Sequence, residues 1–413
     1  HRPDFGRALC ASGALVPLVA VLAGMKHGAL TKTDVATIFG NLARQGEQEQ
    51  AAASIAPLVH LVQRDGAPAY AALSGIGLQL VAVVRALTAL VSGHGANQVI
   101  LKASGGIEAL VVLLAPVEPL HAVDGREEVR ADAADALAEL ARGNAENQTA
   151  IAAAGALSLL VAQLERADSL DRASDGDLDV PAGMDDEGRR AAVTVSGIAE
   201  EAAARALWSL ADGHAPNQAA IAAASALLPL VTFLGGSPSS QRAGTKLAQE
   251  AAANVLAKLS SNDPSVEATL ATMLVAPLSF TDPVPEGGGS GGRQSPDMVG
   301  FSKMESAARV ISRLTQSSVR HQDAIAAAGG ATKLVAMLKR GVPSMTMPSS
   351  TLDELTRALC SMAVGNRQIQ QAIAQHDGIP TLIAMLHGPK ELHEGASRTL
   401  GALAADVGNR TRI

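Results

Sequence analysis

Residues 134–164 read ADALAELARGNAENQTAIAAAGALSLLVAQL, and residues 204–234 read ARALWSLADGHAPNQAAIAAASALLPLVTFL, matching at nearly every apolar position without a gap. The same frame returns as VRALTALVSGHGANQVILKASGGIEALVVLL at 84–114, ARVISRLTQSSVRHQDAIAAAGGATKLVAML at 308–338 and TRALCSMAVGNRQIQQAIAQHDGIPTLIAML at 356–386. Self-similarity of this kind marks a repeat architecture, in which a unit buries its apolar face only against its neighbours.

Each part of the frame has a physical reason. The stretch A-L-x-x-L-A places apolar residues at helical spacing. A break follows at Gly143-Asn144 or Gly213-His214, where Asn144 is placed to cap the next helix. His94 and His214 stand where Asn144 and Asn366 stand and read as turn and cap residues. Asp263-Pro264 reads likewise, as an N-cap with proline at the first helical position. A short helix comes next, with Ile151, Ile221, Ile325 or Ile373 turned inward, and Gly155 or Gly329 then allows a sharp turn because glycine accepts positive φ. A second helix such as 156–164 and a longer third helix close the unit.

Composition agrees. Hydrophobic residues make up 47% of the 413-residue chain but aromatic residues only 2%, so small and branched aliphatic side chains must fill the interior. The net charge of -7 and the scarcity of aromatics argue against nucleic acid as a partner. No apolar run of about twenty residues predicts a membrane span. Cys10 and Cys360 are too few for a disulfide framework and are expected as buried packing residues. The chain starts at His1 and ends inside a repeat, so it reads as a fragment.

Three helices per unit in this order resemble the armadillo repeat, with a HEAT-type solenoid as the nearest structural alternative. The resemblance covers essentially the whole chain. It implies an all-α, right-handed α-solenoid over 1–413, of about eight repeats starting near 1, 47, 96, 145, 215, 264, 319 and 367, with a ninth opening at Asn409. The unit from 264 is degenerate: Val266 stands where Asn147 and Asn217 stand, and no glycine marks its turn. Surplus length falls between second and third helices, at 65–75, 116–126, 166–196, 281–300 and 341–349. Of these, the acidic insertion 166–196 and the Gly-rich insertion 281–300 are expected as loops.

In armadillo proteins the third helices line a groove. Import adaptors of the family hold a peptide there with a Trp and, four residues later, an Asn. The Trp positions here carry Thr37, Arg85, Asp135, Arg205, Asn254, Arg309, Arg357 and Arg398. The Asn positions carry Asn41, Ala89, Glu139, Ser209, Lys258, Arg313, Ser361 and Ala402. The import ladder is therefore absent and an arginine-rich one replaces it. Arg85, Arg205, Arg309, Arg313, Arg357 and Arg398, with Lys258, Asn41 and Asn254, are the candidate partner-binding residues. Guanidinium groups suit carboxylates and phosphates, and cadherin-binding members of the family use a basic groove in this general way. The expected function is an adaptor or scaffold holding an extended, acidic or phosphorylated segment of another protein, inside the cell in cytoplasm or nucleus. A cargo or nuclear transport receptor, and the substrate-recognition part of a larger enzyme such as a ubiquitin ligase, are the alternatives. A solvated helix face is the competing account of the same arginines.

No enzymatic chemistry is legible. Asp175, Asp177, Asp179 and Asp186 imitate a calcium loop, but Val180 replaces its glycine. His387, His393 and Glu394 do not complete a HExxH motif, and the run 287–292 lacks the GK[ST] of a phosphate loop. No cofactor, metal or small-molecule substrate is expected. Met345 and Met347 read as an adaptable apolar contact on a loop.

Overall fold

The structure, a computed structural model, describes residues 4–24, 28–65, 76–115, 126–174, 186–235, 246–278, 296–344 and 347–413. Every regular element among them is helical. The chain divides into two compact units, residues 1–229 with 242–255 and residues 230–241 with 256–413. Both are segments of all-α solenoid, built from repeating groups of a short, a second and a longer third helix.

The first unit begins with α1 (Asp4–Ala11), α2 (Leu15–Ala23) and α3 (Ala29–Arg44). Next come α4 (Gln48–Ala51), α5 (Ile55–Asp65) and α6 (Ile76–Val91), then α7 (Gly95–Ala103), α8 (Gly106–Leu113) and α9 (Arg126–Ala141). It continues through α10 (Ala145–Ala153), α11 (Ala156–Ser174), α12 (Asp186–Ala211) and α13 (Ala215–Ala223). Helices α14 (Leu227–Gly235) and α15 (Lys246–Asn262) each contribute residues to both units. The second unit holds α16 (Pro264–Val275), α17 (Pro296–Ser317), α18 (Val319–Ala327), α19 (Gly330–Ser344), α20 (Ser349–Ala363), α21 (Arg367–Gln375), α22 (Gly378–Leu386) and α23 (His393–Leu403).

The third helices stack on one another: α3 on α6, α6 on α9 and α9 on α12 in the first unit, α17 on α20 and α20 on α23 in the second. Their inner faces are Ala-rich. Ala133, Ala134, Ala202, Ala203 and Ala206 are completely buried, which brings neighbouring helix axes close. Ile151 and Ile221 are likewise fully buried, as their spacing predicts.

The predicted caps are formed. Asn144 accepts the backbone N–H of Asn147, Asn366 that of Ile369, and Asp263 that of Ser265. His94 and His214 do the same for Asn97 and Asn217 through Nδ1. The turn between first and second helices carries positive φ at Gly105, Gly155 and Gly329. Ser225 (φ 61°) and Asp377 (φ 64°) occupy the equivalent turns without glycine's freedom.

Beneath the caps lies a hydrogen-bond network. Asn97, Asn147 and Asn217 donate from Nδ2 to the carbonyls of Leu90, Leu140 and Leu210, each seven residues earlier at the end of the preceding third helix. Each also reaches back one repeat, to Gln48 O, Gln98 Oε1 and Gln148 O respectively. Gln48 and Gln148 in turn donate to the terminal carbonyls of the next third helix, at Ala89 and Ser92 and at Ser209 and Asp212. At the other end of the chain Asn409 takes the same place, donating to Leu403 O and Gln370 O.

Some expectations change. Residues 166–174 and 186–196, read as loop, are helical in α11 and α12, because this charged sequence is also rich in Ala, Arg, Glu and Leu. Likewise 341–344 extends α19, and 296–300 already belongs to α17. Met347 is 4% exposed and packs in the core rather than offering a surface contact. Cys10 and Cys360 are half-exposed, not buried. Met345, the three aspartates 175, 177 and 179, and the stretches 66–75, 116–125 and 281–295 lie outside the described residues.

Two substitutions test this account. Replacing Ser225 by Gly relieves an unfavourable φ and should raise the thermal midpoint, with a gain of about 1 kcal/mol. Asn147→Ala leaves the Leu140 carbonyl and Gln98 Oε1 without that donor and should cost about 1–3 kcal/mol. Chemical denaturation of both variants checks the two signs; a neutral Asn147→Ala would remove the network from the account of stability.

Candidate functional site

The arginines at the third-helix positions are held by the protein's own carboxylates. In the first unit, α9 places Glu128, Asp132, Asp135 and Glu139 at intervals of four, three and four residues, hence along one helix face. Arg85 on α6 reaches across to Glu128 at 2.6 Å and Asp132 at 2.9 Å. Arg205 on α12 approaches from the other side and grips Asp135 with a fork, Nη2 to both oxygens at 2.8 and 2.9 Å and Nε at 3.1 Å. Glu139 accepts from Ser92 at 2.9 Å and pairs with Arg142 at 2.8 Å. The predicted ladder residues Arg85 and Arg205 thus join successive third helices through α9. Asn41 on α3 is exposed and accepts from Arg44 at 2.7 Å.

An open cleft of about 480 Å³ lies over this face, lined by Arg44, Gln48, Arg85, Asp132, Asp135 and Glu139 among others. Asp132 is the unusual group in it. Loss of water pushes its pKa up to about 6, against the pull of Arg85, and the charges of Glu128 and Asp135 push the same way. Arg85 Nε is 2.9 Å from Asp132 Oδ2, yet that oxygen has no aligned hydrogen bond, so the contact is ionic and desolvation prevails.

In the second unit the arginines converge. Arg309 donates to Glu305 at 2.9 Å, to Glu354 at 3.4 Å and to the Gly235 carbonyl. Arg313, one turn along α17, donates to Leu234 O at 3.1 Å. Arg357 on α20 pairs with Asp353 at 2.7 Å and with Glu354 at 3.3 Å. Arg309 and Arg357 therefore both reach Glu354, with Arg313 one turn further along α17; Glu354 is buried and has one oxygen, Oε2, without a hydrogen-bond partner. Burial and the neighbouring charges of Arg309 and Arg357 together push the Arg313 pKa down. Arg398 on α23 stands apart, paired with Glu394 at 2.6 Å where both are mostly exposed. Lys258 is half-buried and Asn254 exposed, both on α15.

The groove columns contain Asp135 and Glu139 but not the other carboxylates, several of which carry a local signal. Glu201, Glu305, Asp353 and Glu394 each precede an arginine of the ladder by four residues, the spacing of a helical ion pair. The cross-helix partners Glu128 and Asp132 have neither mark, and Asp135, though a column position, gives no local sign of its bond to Arg205. Among the described residues no group of three His, Cys, Asp or Glu could hold a metal ion, and no single helix is long and apolar enough to cross a membrane.

Asp132 provides a test of the electrostatics. Its folded pKa lies above the ordinary 3.8, so the unfolded chain releases this proton first. Ionisation then costs stability as pH rises through the interval from 3.8 to about 6. Asp132→Asn should therefore stabilise the protein at pH 7.5, on the order of 1–2 kcal/mol after allowance for solvent screening, with the gain fading by about pH 4. Thermal midpoints across that range decide; a variant less stable at pH 7.5 would show that the Arg85 pairing outweighs desolvation.

No family model and no curated protein matches the chain. Solved structures do. An engineered protein is 21% identical over 98% of this chain and 92% of that one, with a TM-score of 0.43. A chain solved in work on a phosphorylation switch in the interaction between cadherin and β-catenin is 15% identical over 98% of this chain and 66% of that one, with a TM-score of 0.46. A designed armadillo repeat protein in complex with the peptide (KR)4 is 19% identical over 84% of this chain and 99% of that one, with a TM-score of 0.34. Sequence identities this low concern the fold, and no site residue is carried over from these proteins.

Proposed function

We propose that the chain is an armadillo-type scaffold whose third helices hold an extended segment of another protein, and that the second unit prefers a segment bearing carboxylates or phosphates. The observation that carries this reading is that Arg309 and Arg357 share Glu354, with Arg313 one turn along α17. Of the carboxylates that balance them, Glu305 and Glu354 are buried, whereas Arg357 remains 52% exposed. Arg357 also pairs with the less exposed Asp353, 31% exposed, so its guanidinium is the more accessible member of that pair. Arg398, 70% exposed, adds a cation on the next third helix. In the first unit the carboxylates of α9 already occupy Arg85 and Arg205, so those two arginines serve chiefly to join helices.

Charge reversal at the exposed positions tests binding. Arg357→Glu with Arg398→Glu should weaken capture of an acidic phosphopeptide at least tenfold, a loss of about 1.4 kcal/mol or more; because Arg357 pairs with buried Glu354, the affinities are compared below the thermal midpoints of both proteins. Binding should also weaken with salt. Fluorescence anisotropy with phosphorylated, unphosphorylated acidic and lysine-rich peptides measures this. Equal affinity of wild type and double variant for the acidic peptides would sink the proposal.

A further inference from the structure

The repeat that begins at α16 lacks the residues that join its fellows. Val266 occupies the asparagine position and Glu267 the following glutamine position. Between α16 and α17 the described residues hold only a 3₁₀ turn, Ala276–Leu278. The next repeat compensates with different chemistry. Where Asn97, Asn147 and Asn217 stand elsewhere, α18 carries His321, which is 3% exposed. Its Nε2 lies 2.7 Å from Ser260 Oγ on α15, and Arg320 clasps both oxygens of Glu267 at 2.8 to 3.1 Å while donating to Ser261 O at 2.7 Å.

In the tautomer of His321 with its proton on Nε2, the single hydroxyl proton of Ser260 goes to a backbone carbonyl, Leu256 O at 2.8 Å or Ala257 O at 3.1 Å. Ser260 Oγ is then the acceptor and Nε2–H of His321 the donor. His321 Nδ1 is left as a buried lone pair without a partner. A proton there would create both a buried charge and an N–H with no acceptor. An asparagine amide in the same place has no such second state.

We propose that the joint of α18 with α15 and α16 is an acid-sensitive hinge, closed while His321 is neutral and opened when it takes a proton, while the joints built from asparagine hold.

Among the described residues, the charges that act on His321 are Glu267 of α16, which favours the proton, and Arg320 of α18, which opposes it. Glu267 is already engaged by Arg320, and burial outweighs both, so the folded imidazole titrates below the ordinary 6.5. The unfolded or opened joint therefore binds the proton first. The stability His321 contributes is present above pH 6.5 and lost as pH falls below it.

Hydrogen exchange on the whole chain at pH 7.5 and 5.5, corrected for intrinsic rates, tests the hinge. The reference is α10, whose cap and joint residues, Asn144 and Asn147, do not titrate; α7 and α13 are unsuitable because His94 and His214 cap them. Protection of α16 and α18 should fall at least tenfold more than that of α10 on acidification, and His321→Asn should abolish the difference. An equal fall in α10 and α18, or an undiminished difference in the variant, overturns the proposal. Should His321→Asn fail to fold, an NMR titration of the wild-type imidazole decides: a midpoint below 6.5 supports the hinge, and one at or above 6.5 overturns it.

Discussion

Each third helix ends in carbonyl groups that have no partner within the helix, and each short first helix begins with N–H groups in the same condition. The Asn–Gln joint meets much of this need at once. Asn147 ties its repeat to the end of the preceding third helix and to Gln98 of that same preceding repeat, while Gln148 secures the end of the third helix that follows. Because these side chains are buried, leaving one carbonyl unpaired would cost more than the bond itself is worth. Stacking is thereby tied to hydrogen bonding, and a repeat that slipped along its neighbour would break several bonds together. The close contact of alanine-lined third helices depends on that registration, since small side chains gain dispersion energy only at short range.

The third-helix face sits on this frame and inherits its spacing. Arginine at the repeating position finds a carboxylate on the adjacent third helix because the joints hold those helices in register. In the first unit this produces cross-links, Arg85 to α9 and α12 to α9, that leave a cleft with one poorly solvated aspartate. In the second unit, Glu305 and Glu354 are buried beneath Arg309 and Arg357, and Arg357 stays the more exposed partner. One sequence feature thus has two physical outcomes, cross-links between third helices in the first unit and a cluster of arginines about Glu354 in the second. The same frame shows how a defective repeat survives: when the Asn–Gln pair is missing at Val266 and Glu267, an imidazole and an ion pair replace it, and the joint becomes dependent on protons.

The sequence analysis succeeded where the information is local. Caps at Asn144, Asn366, Asp263, His94 and His214, the glycine turns and the inward isoleucines all follow from neighbours within a few residues. The pairs Asn97-Gln98, Asn147-Gln148 and Asn217-Gln218 were visible too, though their role as a joint was not, since a polar pair at a helix start reads equally well as exposed. Charge misled at 166–174 and 186–196, where acidity suggested a loop but helix-favouring residues prevailed. Polarity gave no hint that Met347 would be enclosed.

By itself, then, the sequence determined the all-α class, the position of the short helices and the turns between them, because capping, positive φ and helical periodicity act over one or two turns of chain. It also determined that arginine recurs on the third helices. Only the tertiary structure decided what those arginines do. Their partners lie on other helices, 43 residues away for Arg85 and Glu128 and 70 for Arg205 and Asp135, and the strength of a charge depends on how much water the surrounding fold removes from it and from its partner.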